Sequence, residues 1–218
     1  MNTGKIKYRM DKFKKNKVFV QIGTYNGRDE FNDFVKMYTP SKVILVDPYK
    51  PMRKEIFKNY SDIPNVFVES VAITEINKGM VTLVHPENKN PKSTSQSFYN
   101  ECFSLLPMND WGTSLKSFEA PSMTFTELCD KYELTHIHFL QIDTEGYDAE
   151  IIKSIDFNRI KIDVIRYEDW SFPVRAFTRN GEKYIRYGIN GMKKVKQLLT
   201  YQGYTVERER ENWVAVKK

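Results

Sequence analysis

The sequence predicts an α/β fold of the doubly wound kind, with a mostly parallel sheet and helices on both of its faces. Short runs of β-branched and aromatic residues recur along the chain, as expected for strands that are buried on both faces. Stretches with apolar residues at helical spacing separate these runs. The first run ends in a glycine-punctuated turn, Gly23–Gly27, and a helical pattern follows directly, which is typical of a ligand-binding strand–turn–helix unit.

The first unit covers residues 17–38. Gly23 and Gly27 bracket a turn in which the backbone passes close to another group, because only glycine has no Cβ. Free backbone N–H groups at the start of the following helix suit a nucleotide-like ligand, although a tight connection without a ligand fits the same pattern. The residues expected to bind a cofactor here are Gln21, Gly23, Thr24, Tyr25, Asn26 and Gly27.

A second apolar strand, 42–46, is followed by Asp47 and Pro48. Asp47 lies about 20 residues after the last glycine, the spacing at which an acid accepts hydrogen bonds from ribose hydroxyls in dinucleotide-type sites. The turn reads Gly-Thr-Tyr-Asn-Gly and lacks the close glycine pair that a pyrophosphate requires. We therefore expect a nucleoside without phosphates, of which S-adenosylmethionine is the commonest, with Asp47 and Pro48 in its site.

A helix over 51–60 and a third strand over 65–69 complete the first half of the predicted sheet. In a doubly wound sheet the end of this strand lies beside the ends of the first two strands. Ser70 and Val71 are then placed to flank an adenine ring. An ordinary strand end without a ligand is the alternative.

Two segments interrupt the α/β pattern. After a small extra strand over 79–84, residues 85–121 are rich in proline, hydroxyl-bearing and aromatic residues, and residues 170–191 form a second irregular stretch. Segments of this length between core elements commonly bind substrates. Rings and hydroxyls suit a polyhydroxylated acceptor, so both segments are candidate substrate-binding insertions, and a structural flap is the alternative for the first.

The second half of the chain repeats the alternation. The predicted elements are a helix over 124–132, a strand over 136–142, a helix over 148–155, a strand over 162–168, a helix over 192–201 and a hairpin from 204–206 to 213–216. Thr124 and Glu127 have the spacing of a capping box. His136 and His138 face the same side of their strand. Without a third ligand nearby in the sequence, they are interpreted as packing or surface residues.

Three segments resemble the FkbM family of S-adenosylmethionine-dependent methyltransferases: 18–27, 43–48 and especially 125–155. The family's signature strand reads roughly Lys-Ile-Asp-x-Glu-Gly, followed by an acid and aliphatic residues on a helix. Residues 140–152 read Leu-Gln-Ile-Asp-Thr-Glu-Gly-Tyr-Asp-Ala-Glu-Ile-Ile. The resemblance spans residues 17–170. It implies a Rossmann-like class I methyltransferase with a seven-stranded sheet and an antiparallel C-terminal hairpin, which uses S-adenosylmethionine to methylate hydroxyls of sugars, glycans or polyketide-like metabolites.

Two residues depart from the family pattern. Gln21 lies where the family usually carries an acid that helps to hold the methionine amino group through the turn. Its amide can still order the loop, but it brings no charge. Tyr147 replaces a residue that is usually small, after Glu145 and Gly146. Its ring is expected to narrow the pocket or to reach the substrate.

Carboxylates follow the ends of the two central strands in the second half. Asp143, Glu145 and Glu168 are the catalytic candidates, with Asp169 near, and Asp143 is also expected to contact the cofactor. Clustered acids can raise the pKa of one of them and make it a general base for a hydroxyl proton. Alternatively, Asp143, Glu168 and Asp169 hold a divalent cation, for which oxygen ligands favour magnesium or manganese. In the structural alternative, Glu145 caps the following helix and Glu168 accepts backbone hydrogen bonds.

The 218 residues are expected to form a single methyltransferase domain, 1–218, with residues 1–16 as a basic N-terminal segment. No apolar run approaches the roughly 20 residues of a membrane span, and the N-terminus lacks the apolar segment of a signal peptide. Cys102 and Cys129 lie far apart without metal spacing. We therefore expect both to be reduced thiols and the protein to be cytoplasmic.

The charge of the chain is unevenly distributed. Residues 1–17 carry 7 basic and 1 acidic side chains, and residues 192–218 carry 7 and 3. Subtracting both ends from the totals of 34 basic and 28 acidic residues leaves 20 basic and 24 acidic in residues 18–191. A nucleic-acid channel needs cations along the site itself. We therefore expect a small-molecule or glycan acceptor and no nucleic acid.

The sequence thus predicts an S-adenosylmethionine-dependent O-methyltransferase that acts on a hydroxyl of a sugar, glycan or similar polyhydroxylated small molecule. One alternative is an RNA methyltransferase, although the charge distribution and the absence of an Asn/Asp-Pro-Pro-Tyr motif disfavour RNA bases and exocyclic amines. The other alternative is a catalytically inactive cofactor-binding module, in which Gln21 has abolished activity and the basic ends contact a partner.

Overall fold

A seven-stranded sheet forms the centre of the computed structural model, which describes residues 11, 16–86, 105, 115–168, 176–179, 182–185, 189–209 and 212–218. The first half of the chain contains β1 (Val18–Ile22), α1 (Glu30–Tyr38), β2 (Lys42–Val46), a 3₁₀ turn (Lys50–Met52), α2 (Arg53–Asn59), β3 (Val66–Glu69), β4 (Ala72–Thr74) and β5 (Met80–Pro86). The second half contains β6 (Leu115–Thr124), α3 (Phe125–Lys131), β7 (His136–Ile142), α4 (Asp148–Ser154), β8 (Lys161–Glu168), β9 (Ala176–Arg179), β10 (Glu182–Ile185), α5 (Ile189–Tyr201), β11 (Tyr204–Glu209) and β12 (Asn212–Lys217).

The strand order of the central sheet is β11-β12-β8-β7-β1-β2-β3. Five neighbouring strands run parallel to one another: β3, β2, β1, β7 and β8. Strand β12 lies between β8 and β11 and is antiparallel to both. The predicted mostly parallel sheet with an antiparallel C-terminal hairpin is therefore confirmed. Because β1 lies between β2 and β7, the chain changes direction there, and the C-terminal ends of these three strands form a crevice.

The two faces of the sheet have different cores. On one face, α1 and α2 pack through an aromatic cluster, in which the rings of Phe31 and Phe139 stack at 5.4 Å and Phe19 meets Phe139 edge-on at 5.6 Å. On the other face, α3, α4 and α5 pack aliphatic side chains against the strands. Helices thus cover both faces, as the continuous apolar strands predict. The predicted capping box of Thr124 and Glu127 is present at the start of α3.

A second, three-stranded sheet with the order β4-β6-β5 differs from the sequence prediction. Residues 115–121 were expected within an insertion, but they belong to β6, which pairs antiparallel with β5 and parallel with β4. The partners of β6 are distant in the sequence, so local periodicity gave no sign of the pairing. The rest of the predicted insertion, except residues 85, 86 and 105, lies outside the described residues.

The other segments that the sequence singled out are only partly described. Within 170–191, the described parts are the β9–β10 hairpin and the first residues of α5. Of the basic segment 1–16, only residues 11 and 16 are described, and Cys102 and Asp169 also lie outside the described residues. In the described part of the chain, no helix is both long enough and apolar enough to cross a membrane.

Candidate active site

A cavity opens at the C-terminal ends of β1, β2 and β7, where the topology predicts a ligand. Its wall includes several residues that the sequence predicted to bind a cofactor: Gly23, Thr24, Tyr25, Asn26, Asp47, Pro48, Val71 and Asp143. Three other predicted residues, Gln21, Gly27 and Ser70, do not line it. The wall also contains residues that the sequence did not assign to the cofactor, among them Arg28, Asp29, Thr144 and Leu83.

The glycine turn is held against the neighbouring strand ends. The amides of Gly23 and Thr24 both donate to the carbonyl of Val46, at 2.8 and 3.2 Å. Gly23 has φ +83°, and a Cβ there would lie 1.7 Å from the carbonyl oxygen of Asp143. The close approach that the sequence predicted for Gly23 is therefore an approach to the end of β7. At Gly27 the neighbour is the Tyr60 ring, 2.9 Å from the position of a Cβ.

Asp47 connects the glycine turn to the end of β2. One carboxylate oxygen accepts from the amide of Tyr25 at 2.6 Å, and the other accepts from the amide of Tyr49 at 2.9 Å. Burial raises the pKa of Asp47 to about 7, against the opposing effect of these backbone hydrogen bonds. Each oxygen keeps a second lone pair, so the carboxylate can accept from two ribose hydroxyls at the cavity wall.

The second sheet supplies an apolar wall to the cavity. Ala72 and Ile73 come from β4 and Leu83 from β5, and Val71 and Leu105 continue the same surface. Such a wall suits the flat, weakly polar face of an adenine ring. Ser70 was expected to flank the adenine with Val71, but only Val71 lies on the wall.

Asp143 and Glu145 bring two carboxylates to the cavity from the loop that follows β7. The amide of Asp143 donates to the carbonyl of Ile22 at 2.9 Å, which fixes this loop against the end of β1. Burial holds the pKa of Asp143 well above its usual range, and the charges of Glu145, Asp148 and Asp29 add to the effect. Glu145 has φ +55°, a left-handed backbone that a glutamate rarely adopts.

Asp148 holds this loop in place. Its buried carboxylate accepts from the amide and the hydroxyl of Thr144 at 3.1 and 2.6 Å, and from the amide of Glu168 at 3.0 Å. The sequence placed Asp148 only at the start of a helix. Glu168 lies at the end of β8, but its side chain does not line the cavity. The structure therefore brings Asp143 and Glu145 together at the cavity. Glu168 contacts Asp148 through its amide and does not line the cavity.

The sequence of residues 21–206 matches the family model of the methyltransferase FkbM domain. The chain belongs to the FkbM methyltransferase family. This FkbM protein is therefore an S-adenosylmethionine-dependent methyltransferase, as the resemblance of residues 125–155 implied. Comparison with curated proteins gave no match.

Solved methyltransferase structures resemble the FkbM protein at low sequence identity. A methyltransferase from Geobacter sulfurreducens is 11% identical with a TM-score of 0.49, covering 100% of this chain and 78% of that one. A putative methyltransferase from Streptococcus mutans, in complex with SAH, is 12% identical with a TM-score of 0.47 and coverages of 98% and 96%. An rRNA methylase from Streptococcus thermophilus is 10% identical with a TM-score of 0.48 and coverages of 98% and 93%.

The cavity of the FkbM protein fits S-adenosylmethionine in its donor and acceptor chemistry. Asp47 presents two acceptor oxygens for a ribose, and the wall formed by β4 and β5 is apolar where an adenine would lie. Asp29, Asp143 and Glu145 make the remaining wall acidic, which suits a ligand with a sulfonium and an ammonium group. Asp29, Asp47 and Asp143 would hold the cofactor, which supplies an electrophilic methyl group.

A polar row crosses the centre of the sheet next to the cavity. Gln21, Gln141 and Arg166 are neighbours in the register of β1, β7 and β8. Arg166 donates to Gln141 at 3.1 Å and to the carboxylate of Glu30 at 2.5 Å, and the amide of Gln21 donates to Asp29. The sequence singled out only Gln21 of these residues. The missed signal was a polar side chain just inside the end of each apolar strand.

The only compact group of three possible metal ligands within the described residues is His136, His138 and Asp163, whose ligand atoms lie within 4.8 Å of one another. The sequence did not reveal Asp163 as a third neighbour. Nδ1 of His138 accepts from the amide of Val18 at 3.0 Å, so the proton of the neutral ring is on Nε2. A metal at Nε2 would require an imidazolate. The two rings stack at 4.1 Å at the start of β7, away from the cavity, which is a packing role.

Proposed function

We propose that the protein transfers the methyl group of S-adenosylmethionine to a hydroxyl oxygen of a sugar, glycan or similar polyhydroxylated small molecule, in the cytoplasm. The observation that carries this proposal is the position of Asp143 on the cavity wall, beside Glu145 and at the end of β7. An alcohol must lose its proton when it is methylated, and a carboxylate within hydrogen-bond reach is a suitable base.

Asp143 acts as the base in this proposal. Bound S-adenosylmethionine would supply an electrophilic methyl group for an in-line displacement, with S-adenosylhomocysteine as the second product. Asp143 accepts the hydroxyl proton as the acceptor oxygen bonds to the methyl carbon. Burial raises the pKa of Asp143 and so strengthens it as a base, while Glu145 contributes negative charge. The apolar residues on the opposite wall help to exclude water that would compete with the acceptor.

A divalent cation is the alternative means of activating the acceptor. Magnesium or manganese held by Asp143, Glu168 and Asp169 would lower the pKa of the hydroxyl directly. A single base requires only Asp143, whereas the cation would also need Asp169 and Glu168, and Glu168 does not line the cavity. Activity that is lost in EDTA and restored by magnesium or manganese would support the cation, and activity that persists in EDTA would support the base.

The acidic cavity favours an acceptor that places an uncharged sugar in it over one whose phosphates must lie along its wall. Asp29, Asp47, Asp143 and Glu145 all line the cavity, and Arg28 is the one basic residue on its described wall. Phosphates of an RNA substrate would be repelled by this set of carboxylates unless the basic ends of the chain compensated. We therefore favour a small polyhydroxylated acceptor over RNA.

A turnover screen with labelled S-adenosylmethionine tests the proposal. We expect methylation of sugars or sugar nucleotides and none of tRNA. Methylation of RNA alone would refute the proposed acceptor class. Binding of S-adenosylhomocysteine without turnover on any acceptor would favour an inactive cofactor-binding module.

A further inference from the structure

Asp29 accepts hydrogen bonds from the polar row and also lines the cavity wall. One of its carboxylate oxygens accepts from the amides of Phe31 and Asn32, at 3.1 and 3.2 Å, and caps α1. The other oxygen accepts from the side-chain amide of Gln21 and, at 3.4 Å, from that of Gln141. These donors fix the carboxylate at the edge of the cavity.

Arg166, the cation of the polar row, donates to Glu30 at 2.5 Å, and its charge also acts on the Asp29 carboxylate. A largely buried carboxylate is costly to keep charged unless opposite charge lies close by. Because Asp29 also lies on the cavity wall, a cationic group of a ligand can supply further opposite charge.

The position of Asp29 identifies this cationic group. A cofactor whose ribose is bound by Asp47 at the end of β2 must extend its methionine part across β1 towards β7. Asp29 lies on that side, where it meets Gln141 of β7. We propose that Asp29 binds the α-ammonium group of S-adenosylmethionine, and that Gln21 is a positioning residue that holds the Asp29 carboxylate in place. This proposal rests on the cofactor dependence assigned above.

Asp143 is also close to this part of the cavity, but it suits a different role. Burial raises the pKa of Asp29, and hydrogen bonds from Gln21, Asn32 and Phe31 limit that shift. Burial and three neighbouring acids together raise the pKa of Asp143, against the opposing charge of Arg166. Asp143 is therefore the acid that takes up a proton more readily. In this proposal Asp29 binds the ammonium group, and Asp143, next to the cofactor, exchanges a proton with the acceptor.

Calorimetric titration of two ligands tests the proposal. Asparagine caps a helix as well as aspartate does, so Asp29→Asn retains the cap of α1. It removes the charge and the carboxylate oxygen that accepts from Gln21 and Gln141. We expect Asp29→Asn to weaken binding of S-adenosylhomocysteine at least about tenfold, because a hydrogen bond to a charged group is lost. Binding of 5′-methylthioadenosine, which has no amino acid part, should change by less than about threefold.

Two further variants test the roles of charge and position. Gln21→Glu combined with Asp29→Asn exchanges the amide and the carboxylate between the two positions, keeps a hydrogen bond between them and restores the negative charge. This pair should bind S-adenosylhomocysteine more tightly than Asp29→Asn alone. Asp33→Asn is the matched control, because Asp33 is an exposed acid in the same helical turn that does not line the cavity. It should leave both affinities unchanged.

Three outcomes would overturn the proposal. Unchanged affinity of Asp29→Asn for S-adenosylhomocysteine would show that the ammonium binds elsewhere. Equal losses for both ligands would show a structural effect of the substitution. If the folded wild-type protein, checked by circular dichroism, bound neither ligand at millimolar concentration, the cofactor assignment itself would fail, which is distinct from a failure at Asp29.

Discussion

At the scale of the residue, Asp143 is the side chain on which the proposed chemistry depends. We expect Asp143→Asn to leave binding of S-adenosylmethionine within about tenfold and to reduce turnover by a factor of roughly 10² or more, because the amide cannot accept the hydroxyl proton. Calorimetry measures the binding and a labelled-methyl assay measures the turnover. Near-normal turnover at saturating substrate would mean that Asp143 is structural.

Asp47 provides a second prediction at this scale. Asp47→Ala should weaken binding of S-adenosylhomocysteine by about 1–3 kcal/mol, because hydrogen bonds from the ribose to a charged acceptor are lost. The pKa of Asp47 is about 7, above its usual value, so the carboxyl group gains a proton as the pH falls through 7. Affinity in the wild-type protein should therefore decrease from pH 8 to pH 6.

Asp47→Asn is the control for the pH dependence. It keeps one acceptor oxygen and cannot titrate, so the part of the pH dependence that comes from Asp47 should disappear. The raised pKa gives stability the opposite pH dependence to ligand binding. Without ligand, the contribution of Asp47 to the free energy of unfolding decreases as the pH rises from its pKa in the unfolded chain towards 7. A pH dependence of binding that is identical in Asp47→Asn would contradict the assignment.

At the scale of the element, the site depends on how closely the ends of β1 and β7 approach. Gly23 has φ +83°, and an added Cβ would lie 1.7 Å from the backbone oxygen of Asp143, directly after β7, which cannot move aside as a side chain can. Gly79 has φ +72° but nothing within 4 Å of an added Cβ. The two glycines share a left-handed backbone and differ in the space around them.

Gly23→Ala and Gly79→Ala form a matched pair. Gly79→Ala should cost about 1–2 kcal/mol of unfolding free energy, because only the left-handed conformation is penalised. Gly23→Ala should cost clearly more, or prevent folding, because β1 and β7 must also separate. Urea unfolding followed by circular dichroism measures both variants. Equal costs would show that the β1–β7 contact is not tight.

At the scale of the whole molecule, ligand binding and folding are linked. The cavity is built from β1, β4, β5 and the loops that follow β1, β2 and β7, so a ligand there binds only the folded protein. Saturating S-adenosylhomocysteine, at about 100 times its Kd, should raise the unfolding free energy by about 2.7 kcal/mol. For a protein of this size, that corresponds to an increase in Tm of roughly 5–10 °C. A differential scanning fluorimetry experiment with no shift would contradict the cofactor site.

The sequence by itself determined the strands of the central sheet, the helices that cover it and their order along the chain. The apolar periodicity of 18–22, 42–46 and 136–142 predicted strands, because the spacing of buried side chains is fixed by backbone geometry. The capping box of Thr124 and Glu127 follows from residues three positions apart. Asp47 and Gly23 were likewise found from short-range spacing, and both lie on the cavity wall.

Only the tertiary structure decided which residues meet across the sheet. Asp29 and Gln141 are 112 positions apart, and Arg166 and Glu30 are 136 apart, yet each pair is brought together by the register of parallel strands and by the packing of α1. The pairing of β6 with β4 and β5, which builds the apolar wall, is equally non-local. Strand order and register are set by packing of the whole molecule, so a spacing of a few residues cannot encode them.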